Sequence, residues 1–103
     1  MYITVFITTP SLDSAKKIAR HLLEKRLAAC INMAPVSSMY WWEGKIEEAQ
    51  ETLLIVKTTV DKLDELTRET KAVHPYQVPE IVALPIVGGY REYLGWVERE
   101  THA

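Results

Sequence analysis

Two long extended stretches on either side of a single turn restrict the folds that this chain of 103 residues can adopt. Residues 27–42 and 45–58 are both rich in strand-forming residues, and Glu43-Gly44 between them is typical of a two-residue hairpin turn. The first arm has 16 residues and would span roughly 50 Å when extended. Since a folded chain of about 100 residues has a radius of gyration of only about 13 Å, we expect the hairpin tip to project beyond the core.

The predicted tip is apolar, because it carries Met39, Tyr40, Trp41 and Trp42. An exposed apolar strand promotes aggregation, and proteins normally cover it. Pro35 predicts a bulge or an edge strand, so the strand could bend there and cover its own sheet. We favour a subunit interface instead, because four large side chains need a partner surface that a small sheet rarely provides.

The rest of the sequence alternates strand and helix patterns. It predicts a central strand, an amphipathic helix with Ser11 as N-cap, a more polar second helix capped by Thr59 or Asp61, a fourth strand and a short last helix. These elements cover residues 2–9, 12–26, 60–73, 80–87 and about 90–97. The order β-α-β-β-α-β-α predicts a single α+β domain over residues 1–103, a ferredoxin-like split βαβ sandwich with its helices on one face of an antiparallel sheet.

Charge and cysteine usage exclude some classes of protein. The formal net charge of −2 provides no basic surface for a nucleic-acid partner. Cys30 is the only cysteine, so no internal disulfide can form, and the composition fits a reducing compartment. The first ten residues lack a basic leader and are too short to span a membrane. We therefore expect a cytoplasmic protein with no membrane partner.

The segment "VHPYQVPE", residues 73–80, is the strongest candidate for a site. His74 ends the second predicted helix, where it would either cap backbone carbonyls or serve as a metal ligand or ligand-contacting imidazole. A single histidine does not make a metal site, because copper or zinc usually takes three or four protein donors. The position of His74 fits either role.

The other polar candidates favour structural roles. Cys30 has no neighbouring base in sequence and is interpreted as a small core residue. His21 is expected to be solvated, and His102 to be mobile near the end of the chain. The hairpin acids, which are Glu43, Glu47, Glu48 and Glu51, are expected to form a solvated ribbon rather than a cation site.

No pattern points to an enzyme. The chain has no glycine-rich phosphate loop, no Ser-His-Asp order and no zinc-finger spacing. An acyl-phosphate hydrolase would need an arginine in a loop beside an amide such as that of Asn32, whereas Arg20 and Arg26 fall on the first helix. We therefore expect a small α+β oligomer that binds a ligand and does not catalyse a reaction.

Five motifs in series carry a resemblance to a known family. They are "EKRLAACIN" (24–32), "YWWEGKIEE" (40–48), "LLIVKT" (53–58), "HPYQVPEIVALPI" (74–86) and "YLGWV" (93–97). Together they resemble the divalent-cation tolerance protein CutA family. The resemblance implies a ferredoxin-like domain in a tight homotrimer, with hairpins that pair across subunits and a role in tolerance of divalent metals, copper above all. It implies no enzymatic activity and no organic cofactor.

The resemblance also implies a copper site that this chain retains only in part. The proposed family ligands are a cysteine in the first strand and two adjacent histidines, and their positions hold Ile7, Val73 and His74 here. Other donors for copper(II) or another divalent cation would have to come from Glu80, the hairpin acids or a second subunit.

Three interpretations of the 74–80 segment follow. In the first, His74, Tyr76 and Glu80 line a cleft between subunits and bind a metal ion, with His74 and Glu80 as donors. In the second, the chain is a PII-like sensor or adaptor and the same cleft holds a small organic ligand, an analogy of fold that does not transfer function. In the third, the segment serves trimer packing alone.

Overall fold

The computed structural model describes residues 1–103 and contains four strands and three α-helices. A short 3-10 turn, Val60–Lys62, leads into the second helix. In chain order the elements are β1 (Tyr2–Thr9), α1 (Leu12–Glu24), β2 (Cys30–Trp42), β3 (Lys45–Thr59), α2 (Leu63–Val73), β4 (Ile81–Pro85) and α3 (Arg91–Thr101).

The four strands form one antiparallel sheet in the order β2-β3-β1-β4. Helix α1 connects β1 to β2, which lie on either side of β3, and α2 connects β3 to β4, which lie on either side of β1. Two interleaved crossovers of this kind define the split βαβ arrangement. The predicted α+β ferredoxin-like fold is confirmed.

The core lies between one face of the sheet and the helices. Alternate residues of β1, namely Ile3, Val5 and Ile7, are buried on this face, and β3 places Val56 opposite Val5 and Leu54 opposite Ile7. Helix α1 adds Ala15, Ile18, Ala19 and Leu22 at helical spacing. The Ser11 side chain accepts a hydrogen bond from the Ser14 N–H at 3.1 Å, which confirms the predicted N-cap.

Strands β2 and β3 continue well past the rest of the sheet. They pair from Cys30–Lys57 to Trp42–Lys45, whereas β1 pairs with β3 only as far as Thr9–Thr52. Residues 36–42 and 45–51 therefore form a two-stranded ribbon, and the molecule measures 44 Å by 25 Å by 21 Å. Glu43 and Gly44 both have positive φ, 50° and 79°, as the predicted two-residue turn requires.

Pro35 does not break this ribbon. It stays in β2 opposite Thr52, without a bend that would fold the tip back onto the sheet. Strand β2 is at the edge of the sheet, where a missing N–H is tolerated. The predicted edge position is confirmed, and the tip is left exposed: Met39 and Trp41 keep 71% and 72% of their accessible surface.

Several element boundaries differ from the prediction. Helix α1 ends at Glu24 rather than Arg26, because Arg26 adopts a positive φ of 59° that turns the chain. Neither Thr59 nor Asp61 caps α2, which begins after the 3-10 turn without a side-chain cap. Instead of capping the helix, the Asp61 carboxylate forms a hydrogen bond with His102 Nε2 at 2.9 Å.

Helix α3 lies partly on the second face of the sheet, in contrast to the expectation of helices on one face only. Cys30 is opposite Lys57, which is opposite Thr4, so these three residues point away from the face that carries Val5. Helix α3 packs against β3, and burial, followed by the nearby Cys30 thiol, raises the pKa of Tyr93. Its Val97 is buried.

Truncation of the core should destabilise the fold strongly. Leu54 is fully buried against Ile7, so Leu54→Ala should lower the free energy of unfolding by about 2–5 kcal/mol. Leu23→Ala, on the exposed side of α1, is the matched control and should cost less than about 1 kcal/mol. Denaturant unfolding at one fixed protein concentration measures both, and equal losses would contradict the core assignment.

The attachment of α3 should depend on pH. A hydrogen bond with Asp61, and then one with the Glu98 carbonyl, raises the pKa of His102 above its ordinary value of 6.5. Because the folded pKa is raised, the stabilisation is complete below about pH 6.5 and is lost as pH rises through the higher folded value. Relative to His102→Gln, the wild type should therefore lose part of its advantage in melting temperature between about pH 5 and about pH 9. A difference in melting temperature between the wild type and His102→Gln that stays constant across that pH range would contradict this expectation.

Candidate functional site

A groove of about 890 Å³ runs between the hairpin ribbon and the segment that follows α2. Residues 37–42 and Glu51 form one wall, residues 75–80 form the other, and Thr8 of β1 lies at the base. Of the three residues predicted to line a cleft, Tyr76 and Glu80 lie on this groove and His74 does not. His74 instead borders a smaller depression between α1 and the end of α2.

His74 fastens the start of the 74–80 segment to the sheet. It follows the last residue of α2 with extended backbone, and only 9% of its surface is exposed. Its Nε2 lies 2.8 Å from the Thr8 carbonyl oxygen, and its Nδ1 accepts the Tyr76 N–H at 3.0 Å. An imidazole that accepts at Nδ1 and donates from Nε2 is neutral, so both ring nitrogens are already occupied.

A single chain does not assemble a copper site. Coordination by His74 would require the ring to give up one of its two hydrogen bonds, and Ile7 and Val73 offer no donor atoms. Glu80 is exposed, and no group of three histidine, cysteine, aspartate or glutamate side chains comes together in the chain. The donor set of one chain therefore does not fit copper(II), which usually takes at least three protein donors.

Glu51 is the functional candidate that sequence reasoning missed. It was expected on a solvated ribbon, yet only 7% of its surface is exposed, so that expectation is wrong. It lies at the last ribbon position before the sheet begins, where the Tyr76 hydroxyl donates to its Oε2 at 2.7 Å. Burial, reinforced by the Glu51 carboxylate, raises the pKa of Tyr76, so the hydroxyl remains a donor. The other hairpin acids, Glu43, Glu47 and Glu48, are exposed as predicted.

The groove combines negative charge with aromatic side chains. Glu51 and Glu80 contribute carboxylates, and no lysine, arginine or histidine lines it. Tyr40, Trp41, Trp42 and Tyr76 supply its aromatic walls. The Tyr76 ring also lies 4.9 Å from the His74 ring, centroid to centroid, so the two aromatic residues of the segment hold each other in place. The arrangement is suited to a positively charged ligand.

The remaining histidines and Cys30 have structural roles. His21 is not simply solvated, since its Nε2 meets Glu69 Oε1 at 2.8 Å and ties α1 to α2. His102 is not free either, because it bonds with Asp61 and with the Glu98 carbonyl. The prediction that Cys30 is a core residue is wrong, because it is half-buried outside the core cluster, with its thiol beside Tyr93 and 4.0 Å from the Asn32 side chain.

None of the helices is both long enough and apolar enough to cross a membrane.

The Tyr76–Glu51 hydrogen bond should couple the two walls of the groove. Tyr76→Phe leaves a buried carboxylate without its donor and should destabilise the fold by about 1–3 kcal/mol. Glu51→Gln keeps an oxygen that can accept the hydrogen bond from Tyr76, so it should destabilise the fold less than Tyr76→Phe does. A double-mutant cycle of Tyr76→Phe with Glu51→Ala, which removes the acceptor, measures the coupling, with Tyr90→Phe at an exposed position as control. Additive effects would show that the bond does not join the walls.

Comparison with known proteins assigns the family. The profile of the CutA1 divalent ion tolerance protein family matches residues 3–100. The divalent-cation tolerance protein CutA of Archaeoglobus fulgidus is 50% identical over 98 residues, which cover 95% of this chain and 96% of that protein. Its counterpart from Thermus thermophilus is 53% identical over 98 residues, which cover 94% of this chain and 95% of that protein.

The similarity extends to the fold. The solved structure of the periplasmic divalent cation tolerance protein CutA from Archaeoglobus fulgidus superposes with a TM-score of 0.96 at 48% identity, covering 98% of this chain and 99% of that one. The Thermus thermophilus structure gives a TM-score of 0.94 at 51% identity, and the alignment covers 97% of this chain and 98% of that one. The resemblance found in the five motifs is thus confirmed, and the chain belongs to the CutA1 divalent ion tolerance protein family.

Proposed function

We propose that this protein acts in divalent-cation tolerance as a homotrimer that binds a divalent cation and catalyses no reaction. The observation that supports cation binding is the groove, which holds two carboxylates and no basic side chain. Carboxylate oxygens are common ligands of divalent cations. The names of the relatives support the physiological role, since they are divalent-cation tolerance proteins.

The ribbon supports the trimer. Its tip exposes four apolar side chains: Met39 and Trp41 keep 71% and 72% of their surface, and Tyr40 and Trp42 keep 41% and 40%. Both edge strands, β2 and β4, have an open side. Exposed apolar ribbons and open edges are normally covered, and a closed ring of identical subunits covers both at once.

Copper(II) is the proposed cation, with other divalent ions as alternatives. Because one chain does not bring three donors together, a second subunit has to complete the site. Glu80 is the proposed donor from this segment, since it is exposed on the groove wall. His74 was also predicted as a donor, but it would have to release Thr8 or Tyr76 first.

The test is a calorimetric titration of the purified protein with copper(II) in a weakly chelating buffer. Sedimentation should first show a trimer at micromolar concentration. Glu80→Gln should then weaken copper binding at least about tenfold by removing a charged donor, while Glu92→Gln, an exposed acid of α3, should not. His74→Ala, measured alongside, shows whether the imidazole contributes. A stable monomer, or copper binding that is absent or insensitive to Glu80, would overturn the proposal.

A second function has support from the size of the groove. Its volume of about 890 Å³ falls within the range of small-molecule pockets, and aromatic side chains line it. The chain would then be a PII-like sensor or adaptor that binds a small organic ligand in the subunit cleft, with no metal role. Thermal-shift measurements separate the two functions: a rise in melting temperature with metabolites and not with metals would favour the sensor.

The compartment is also part of the proposal. We place the protein in the cytoplasm, because its single cysteine allows no internal disulfide and fits a reducing compartment. The Archaeoglobus fulgidus protein is described as periplasmic. Cell fractionation followed by immunodetection should find the protein in the cytoplasmic fraction, and recovery outside it would contradict this placement.

A further inference from the structure

Glu51 is a buried carboxylate that its own chain leaves without a countercharge. Only 7% of its surface is exposed, and it forms none of the ion pairs in the chain. The Tyr76 hydroxyl is its one hydrogen-bond partner and donates to Oε2, so Oε1 has no partner. Removing a carboxylate from water is costly unless a cation or further donors compensate. We therefore expect a cation from outside the chain at this oxygen.

Lys45 is a cation at the far end of the same strand. It is opposite Trp42 beside the turn, is exposed and takes part in no ion pair. It is the only basic residue of the ribbon, which comprises residues 36–42 and 45–51. Because side chains alternate along a strand, Lys45 and Glu51 share one face of β3. They are roughly 20 Å apart along it, so Lys45 does not reach the Glu51 of its own chain.

A second copy of the chain can bring the two charges together. The ribbon tip is the surface proposed to contact a neighbouring subunit, and Lys45 is the one cation that the ribbon carries there. The groove at the base of the neighbour's ribbon holds two carboxylates, Glu51 and Glu80, and no basic side chain. Glu43 and Glu47 flank Lys45, so the tip as a whole is not basic. The match is between one lysine and one buried carboxylate.

We propose that Lys45 of each subunit forms an ion pair with Glu51 of the next, so that the ribbon tip of a neighbour completes each groove. Tyr76 holds Oε2 of the carboxylate, and the incoming ammonium group binds Oε1. The contact joins two different parts of the chain, so it is heterologous and repeats around a closed ring. The proposal rests on the homotrimer of the proposed function and names a pair of residues that joins its subunits.

The test is a double-mutant cycle on subunit association. Lys45→Met removes the ammonium group from an exposed side chain, and Glu51→Gln keeps the size of its side chain and an acceptor for Tyr76. Sedimentation in urea at low salt measures the protein concentration at which half of the trimer has dissociated. Each single change should raise that concentration at least about tenfold. The double variant should dissociate no more readily than the weaker of the two single variants, because both changes remove the same contact.

Two further variants control for the loss of charge alone. Lys16→Met removes an exposed cation of α1, and Glu48→Gln removes an exposed acid on the opposite face of the ribbon. Both should leave the dissociation of the trimer unchanged. Since Lys45 and Glu51 are too far apart to meet within one chain, coupling between their substitutions reports a contact between subunits.

Three results would overturn the inference. One is unchanged dissociation in Lys45→Met, and a loss confined to Glu51→Gln would then assign Glu51 to a different cation. Another is unchanged dissociation in Glu51→Gln. The third is a double variant that shows the sum of two independent losses. Any of these in a protein that sediments as a trimer leaves the homotrimer proposal in place, whereas a monomeric wild type would overturn both proposals.

Discussion

The continuous pairing of β2 with β3 is the constraint on which the rest of the structure depends. The two strands form one antiparallel ladder from Cys30–Lys57 to the turn at Glu43-Gly44, and only its lower part, up to Thr52, is flanked by β1. The lower part supplies Leu54 and Val56 to the core. The upper part presents aromatic residues to the groove and to solvent. Because side chains alternate along a strand, the single register of this pairing determines both which residues enter the core and which aromatic residues face the groove.

The second constraint is the short segment that returns from α2 to the sheet. Pro75 and Pro79 limit its backbone, and His74 attaches it to Thr8 on one side and to its own Tyr76 amide on the other. Tyr76 then reaches across to Glu51. The histidine, the two prolines and the tyrosine of this segment together explain how a stretch with little regular structure becomes one wall of a defined groove. His74 positions this wall of the groove. The groups that a ligand could contact there are Glu51, Glu80 and the aromatic rings.

The sequence predicts the fold better than the site, for physical reasons. Strand and helix periodicities are local, so the order of elements, the Ser11 cap and the Glu43-Gly44 turn could all be inferred from short windows. The boundaries near Arg26 and Asp61 could not, because they depend on a positive φ and on a contact with His102 that is distant in sequence. The same holds for Glu51, which is buried and accepts a hydrogen bond from Tyr76, 25 residues further along the chain. One local signal was present: Glu51 lies where the polar part of the hairpin meets the apolar run that begins at Leu53.

The central position of β1 also has a consequence for the order in which the chain folds. Strand β1 is made before the other three strands, and it has β3 on one side and β4, which begins only at Ile81, on the other. Its apolar residues cannot be fully enclosed until most of the chain has been made. The hairpin, in contrast, closes through contacts that are near in sequence and can form early. During synthesis a preformed apolar ribbon therefore coexists with an unpaired apolar strand, and this interval is when the chain is most exposed to mispairing with its neighbours.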